Sequence, residues 1–196
     1  MIRMLILAAA IAAQTSALPH LPLKVALDHL RSGVIDFDVV GARDDFSASP
    51  DYHAENWSDY ATAATDLHQR RPAEALKLAQ DWIASHPLDS DAWAVKSRAE
   101  KDQGDDAEYD RDMNIAVDLL RAIDLTGDGL APQSAWRVIS TSEEYALLTV
   151  KGLHVDNQSL ENQDGHYYDR MEVTDAATGT KGSRWFNIDR VFGHEL

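Results

Sequence analysis

Three groups of residues bring together side chains that could do chemistry. The first is Asp124-x-Thr126-x-Asp128-Gly129, which copies positions 1, 3, 5 and 6 of a calcium loop. Oxygens staggered in this way converge on one cation, and a glycine after the third ligand lets the chain turn sharply. Position 12 falls on Ala135, where such a loop needs a bidentate glutamate, and Pro132 interrupts the run, so an EF-hand is excluded. Two readings remain: a weak Ca2+ site on Asp124, Thr126 and Asp128, or a helix stop followed by a turn built from Gly and Asp. The turn is preferred, and the sequence calls for no cofactor.

The second group is His154 with His166, Tyr167, Tyr168 and Asp169. Imidazole and carboxylate both act near neutral pH, so His154, His166 and Asp169 are the candidates for zinc ligation or acid-base catalysis. The spacing argues against a built site. There is no His-Glu-x-x-His or comparable pair, and the eight histidines are scattered, so these residues read as polar strand positions at a turn and His20 as an exposed loop residue. The third group is Glu143-Glu144-Tyr145. Consecutive helix positions point about 100° apart, so the two carboxylates do not face one substrate, and helix capping explains them better. No Gly-x-Ser-x-Gly, Ser-x-x-Lys or phosphate-cradling glycine loop occurs.

The elements that must position these residues are helical first and mixed later. Leu23, Ala26, Leu27 and Leu30 recur at helical spacing, with Gly33 as a stop. Val34 to Pro50 is open, although Phe37, Val40 and Phe46 could line a helix. A helix is predicted from Trp57 to His68, another from Pro72 to His86, and a further one from Ser90 to Asp102. The next, Ala107 to Ile123, carries Met113, Ala116, Val117, Leu120 and Ile123 on one face. Ala75, Pro87, Trp93 and Gly104 fall at the marks of a tetratricopeptide repeat, whereas Lys96, Ser97 and Glu100 stand where it wants Leu, Gly and an aromatic. A degenerate tetratricopeptide-like pair of hairpins is expected, with an ordinary helical bundle as the alternative. After the break at Asp124, a strand is predicted from Trp136 to Ser140. Thr141-x-x-Glu144 reads as a capping box for a helix ending at Gly152, and Tyr167 to Thr174 and Arg184 to Val191 form a β-hairpin across a Gly/Thr turn.

The expected fold is therefore α+β: antiparallel helical hairpins packed on a small C-terminal α+β unit. Residues 1–17 read as a signal peptide, with Arg3, an apolar run from Met4 to Ala13, and small residues Thr15-Ser16-Ala17 before the cut. Residues 18–123 form the helical region and 124–196 the α+β region. With no Pro- or Ser-rich linker between them, the two are expected to behave as one cooperative unit. A ten-residue run is too short to span a membrane, so no integral segment remains after cleavage, and the destination is the periplasm or the extracellular space.

The chain holds 18 basic against 33 acidic side chains, a net charge of -15. Such a surface repels phosphate backbones, so nucleic acid is not among its partners. Cysteine is absent, which excludes disulfides, thiol nucleophiles and Cys-type zinc sites.

Six blocks then carry a family resemblance: Thr126-Gly-Asp-Gly; Ala135-Trp-Arg-Val-Ile; Glu143-Glu-Tyr-Ala-Leu-Leu with Gly152-Leu; Gln158-Ser-Leu; Gly165-His-Tyr-Tyr-Asp; and Trp185-Phe-Asn-Ile-Asp. In this order they resemble the exported bacterial family catalogued as domain of unknown function 4919. The resemblance implies a two-part layout and an export signal, and it brings no activity, substrate or catalytic residue. From the residues, the expected role is non-catalytic binding of an unknown protein or small ligand, since stacked helices offer concave surfaces. The alternative is a periplasmic hydrolase or cation-dependent enzyme using His154, His166 and Asp169 or an ion near Asp128.

Overall fold

The computed structural model describes residues 18–52, 64 and 71–192. The leader expected over 1–17 lies outside the described residues, as does all but Ala64 of the helix expected over 57–68.

Pro22 precedes α1 (Leu23–Arg31), whose Ala26, Leu27 and Leu30 turn to the core. Gly33 ends it as expected, at φ 80°, a left-handed conformation that its missing Cβ makes inexpensive. The segment that the sequence leaves open holds α2 (Val39–Ser47), capped by Asp38, which accepts from the Gly41 N–H at 3.0 Å. Proline opens α3 (Pro72–Ser85), a position where a missing N–H costs nothing, and Ala75, Ala79 and Ile83 are its buried stripe. Asp89 caps α4 (Ser90–Asp102), and Asp105 caps α5 (Asp106–Asp124). Short connections make α1 and α2 neighbours, and likewise α3, α4 and α5. Leu30, Phe37, Phe46, Leu88, Trp93, Ile115 and Leu119 gather in the core they share.

A four-stranded mixed sheet follows, in the order β1-β4-β3-β2. β1 (Trp136–Arg137) lies parallel to β4 (Lys181–Asn187), which runs antiparallel to β3 (His166–Asp175), itself antiparallel to β2 (Leu153–Gln163). Between β1 and β2 the chain forms α6 (Thr141–Val150), and after β4 a single turn, α7 (Asp189–Phe192). Met171, Val173 and Phe186 of the sheet meet Leu147 and Leu148 of α6 and Ile123 of α5 in a second core. The architecture is the expected α+β.

Local details differ from the expectations. The strand expected from Trp136 to Ser140 is two residues long. The last strand is shifted to Lys181–Asn187, because Asp189 turns the chain by accepting the Tyr167 N–H at 2.7 Å and the Asn187 amide at 3.0 Å. β2 was not anticipated at all. It is a polar edge strand, and a register shift between Val155 and Asn157 breaks the alternation that would have marked it. The turn behind it is legible: Asp164-Gly165, at φ 55° and 85°, is the Asp-Gly pair that two-residue hairpins require. The capping box expected on Thr141 and Glu144 does not form, since Thr141 lies inside the helix and the Ser140 side chain before it makes no cap bond. Ser140 is the residue before α6, and Glu143 reaches back to accept the Ile139 N–H at 2.9 Å.

Buried contacts tie the helices to the sheet unit. Arg43 of α2 donates two bonds to Glu143 of α6, at 2.5 and 2.8 Å, with both side chains buried. Tyr52 donates its hydroxyl to the Ile139 carbonyl, and Ile139 itself packs into the helical core.

Candidate binding groove

The stripe predicted for α5 divides in the structure. Ala116 and Ile123 are buried, and the core face of the helix is completed by Ile115, Leu119 and Ala122. Met113, Val117 and Leu120 instead line a groove of about 440 Å3 whose other walls are α4 and α6. α4 contributes Asp91, Ala94 and Arg98, one stripe at helical spacing, and α6 contributes Tyr145, Ala146, Thr149 and Val150. The apolar surface of α5 is thus wider than the fold uses. Val117 is 54% exposed and Val150 71%. Tyr145 leans over the end of the groove and donates its hydroxyl to Gln158 of β2 at 2.7 Å.

Two charges mark this apolar surface. Burial against it pushes the Asp91 carboxyl up to about 6, with the Glu143 charge adding and Arg98 pulling it back. Neither Asp91 nor Arg98 makes a side-chain hydrogen bond or ion pair among the described residues. They sit seven positions apart on one face of α4, about 10 Å along the axis.

The residues singled out for chemistry lie elsewhere and in separate places. His154 is exposed on β2 beside Asp156, opposite Thr174 near the far end of the β2–β3 pair from His166. His166 sits at the opening of β3, with Nδ1 2.7 Å from Asp189 Oδ2. Asp169 is three positions further along β3 and points to the other face, toward α6, where Gln158 donates to it at 2.7 Å. The structure does not bring His154, His166 and Asp169 together. His20 is half-exposed and engaged, with Nε2 3.1 Å from Asp45 and Nδ1 3.7 Å from Asp38.

The three oxygens of the calcium-like run also face separate protein partners. Asp124 pairs with Lys151 at 2.6 Å, and that ammonium also lies 5.0 Å from the Trp136 ring centre. Thr126 Oγ1 donates to the Ile123 carbonyl at 2.7 Å and accepts the Arg137 N–H at 2.8 Å. Asp128 accepts from the Leu130 N–H at 2.9 Å and from the Ser134 hydroxyl at 2.5 Å, and these bonds hold its carboxyl below the usual range. Of the two glycines, only Gly129 takes a positive φ, 65°, and a Cβ there would lie 2.5 Å from the Trp136 ring. At Gly127 a Cβ would run into the Ser134 carbonyl.

Glu143 and Glu144, set aside as capping residues in the sequence, are the most deeply placed acids of α6. Glu143 holds Arg43, as described. Glu144 is fully buried, receives no bond from a donor group among the described residues, and shares a hydrogen bond with the Asp169 carboxyl. Burial, with the Asp169 charge beside it, lifts its carboxyl well above the usual range, and Asp169 is raised by burial too. The one signal for this in the sequence is that two acids stand where the amphipathic pattern of α6 wants apolar residues.

No curated protein and no solved structure matches the chain. The family model described as domain of unknown function 4919 matches residues 44–195, which takes in α3 to α7 and the whole sheet. With most of its length matched in one stretch, the chain belongs to the domain of unknown function 4919 family.

Proposed function

We propose that this protein is an exported, non-catalytic interaction module whose groove between α4, α5 and α6 receives an amphipathic segment of a partner protein. The observation that carries this reading is the second apolar stripe of α5. Val117 is exposed there with Met113 and Leu120 half-buried beside it, Leu120 also packing against the sheet core, and Val150 of α6 is exposed across from them. Exposed apolar surface of this kind, edged by polar groups, is where proteins meet one another. The unpaired Asp91 and Arg98 give the partner a direction: a basic residue opposite Asp91 and an acidic one two helical turns away, with apolar residues between. Tetratricopeptide-like stacking of α3 to α5 would suit this use, since consecutive helices in that arrangement line a concave face.

A hydrolase reading is weaker, because its three candidate residues stand at different places on the sheet. Export rests on the leader read from residues 1–17.

Site-specific photocrosslinking tests the reading in cells. A photoreactive residue at Val150 should trap a discrete partner band that disappears when Val117 is replaced by Asp. The same residue at Lys77, an exposed position on α3, should not trap that band. Equal trapping at Val150 and Lys77, or a Val150 band indifferent to Val117→Asp, would overturn it.

A further inference from the structure

β2 (Leu153–Gln163) is the last strand of the sheet and pairs with β3 along one side. Among the described residues no backbone bonds to its other side, so alternate residues point an N–H and a C=O outward. Long edges of this kind template pairing with another strand, and proteins ordinarily blunt them with lysine, proline or a bulge. β2 holds no lysine and no proline. Its bulge lies at Asp156, whose carboxylate is drawn back to the Thr174 hydroxyl at 2.6 Å, and it interrupts only the first part of the strand. From Asn157 to Gln163 the pairing with β3 is regular, and Glu161 is the one charged side chain in that stretch.

The run Asn157-Gln-Ser-Leu-Glu-Asn-Gln163 is complementary to itself, and Leu160 is its midpoint. Leu160 stands opposite Asp169 in the register and so shares the face on which α6 lies, yet it remains 53% exposed. An antiparallel copy, related by a two-fold axis beside Leu160, would set Leu160 against Leu160, Ser159 against Glu161, Gln158 against Asn162 and Asn157 against Gln163. The whole regular stretch then pairs, leucine on leucine and polar on polar, with no two acids opposed. Moving the axis one residue on, to Glu161, would set two carboxylates face to face, and moving it one residue back, to Ser159, would set Leu160 against Gln158.

We propose that β2 is the dimer edge of this protein: two copies of the chain pair antiparallel along Asn157 to Gln163, with Leu160 on the two-fold axis, and join their sheets into one. Such a contact is isologous, the same patch on both copies, and it closes on itself instead of growing into a fibre. Each copy carries a net charge of -15, so like-charge repulsion disfavours association, but along this stretch the single acid of each copy faces a serine. Seven residues a side are fewer than the about 20–30 of a stable interface, so the dimer is a weak and reversible one. Pairing at this edge does not require that the groove bind anything.

Because the chain lacks cysteine, single cysteines read the register directly. In the purified chain from Leu18 on, Leu160→Cys sets two thiols across the axis, with Cβ atoms about 4.5–5.5 Å apart, and mild oxidation should link the copies into a disulfide dimer. Asn162→Cys lies on the same face but about 13 Å along the strand from its copy, so it should link far less. Gln158→Cys mixed with Asn162→Cys should link the two variants to each other. Sedimentation of the parent should show a monomer–dimer equilibrium as its concentration approaches millimolar. Leu160→Asp, which opposes two carboxylates across the axis, should weaken it about 10-fold or more. Leu160 is exposed, and unchanged far-UV spectra would establish that its variants are folded. A parent that stays monomeric would leave the edge to a strand of another protein and overturn the proposal. So would a dimer indifferent to Leu160→Asp, or equal linking by Leu160→Cys and Asn162→Cys.

Discussion

Burial of Glu144 between α6 and β3, beside the Asp169 carboxyl and with no donor group among the described residues, places an acid where charge is expensive. In the folded chain its carboxyl and that of Asp91 take up protons more readily than in the unfolded chain. Between about pH 4, the unfolded value, and the raised folded values, the native state binds more protons, so these groups' contribution to stability is lost as pH rises through that window. Glu144→Gln, which keeps the shape and removes the titration, should raise the melting temperature more at pH 8 than at pH 5. An equal shift at both values would show that ionisation is not involved. Arg43 makes the opposite case, a buried charge that is fully paired. Arg43→Ala strands Glu143 and should cost about 3–5 kcal/mol in denaturant unfolding, whereas Arg43→Met combined with Glu143→Leu should recover most of the loss. At Gly129, substitution by Val should cost about 1–3 kcal/mol through the left-handed backbone and the Trp136 contact, with or without calcium. A calcium site would behave differently: hundredfold excess over its dissociation constant would add about 2.7 kcal/mol, lost in Asp128→Ala. Because Asp124, Thr126 and Asp128 each face a protein partner, metal-stripped protein should melt at the same temperature when calcium is added.

Among the elements, α5 carries the most information, because it has two apolar faces with different duties. Leu119 is fully buried in the helical core, while Val117, two residues earlier, is largely open. Leu119→Ala should therefore cost about 2–5 kcal/mol, and Val117→Ala should stay within about 0.5 kcal/mol. Chemical denaturation of the two variants decides it: comparable losses would mean that the groove face supports the fold and is not held in reserve for a partner. The edge strand β2 shows the converse situation. Its polar sequence hides it, since an edge strand with one partly covered face needs few apolar residues, and a bulge turns the alternation out of phase. The Asp164-Gly165 turn was the available clue, because only residues tolerant of positive φ close a two-residue hairpin.

For the molecule as a whole, the helical core and the sheet core meet at Ile123, Ile139 and the Arg43–Glu143 pair. Melting followed by far-UV circular dichroism and by tryptophan fluorescence should therefore trace one transition, since Trp93 lies in the first core and Trp136 in the second. Two separated transitions would mean that the halves fold independently. N-terminal sequencing of exported protein should find Leu18 first, and an intact Met1 would remove the basis for export. What the sequence by itself determined was whatever depends on local pattern: the helix stripes of α1 and α3, the span of α4, the glycine stops, the turn at Asp128, the α+β order, and the family through its ordered blocks. Those features are set by neighbours within a few positions, so spacing alone reveals them. Only the tertiary structure decided which stripe of α5 faces the core, that Glu143 and Glu144 are buried, and that His166 finds Asp189 while Asp169 lies on the other side of the sheet. Each of these turns on which surfaces are covered by segments far away in the chain, and that is a property of packing to which periodicity is blind.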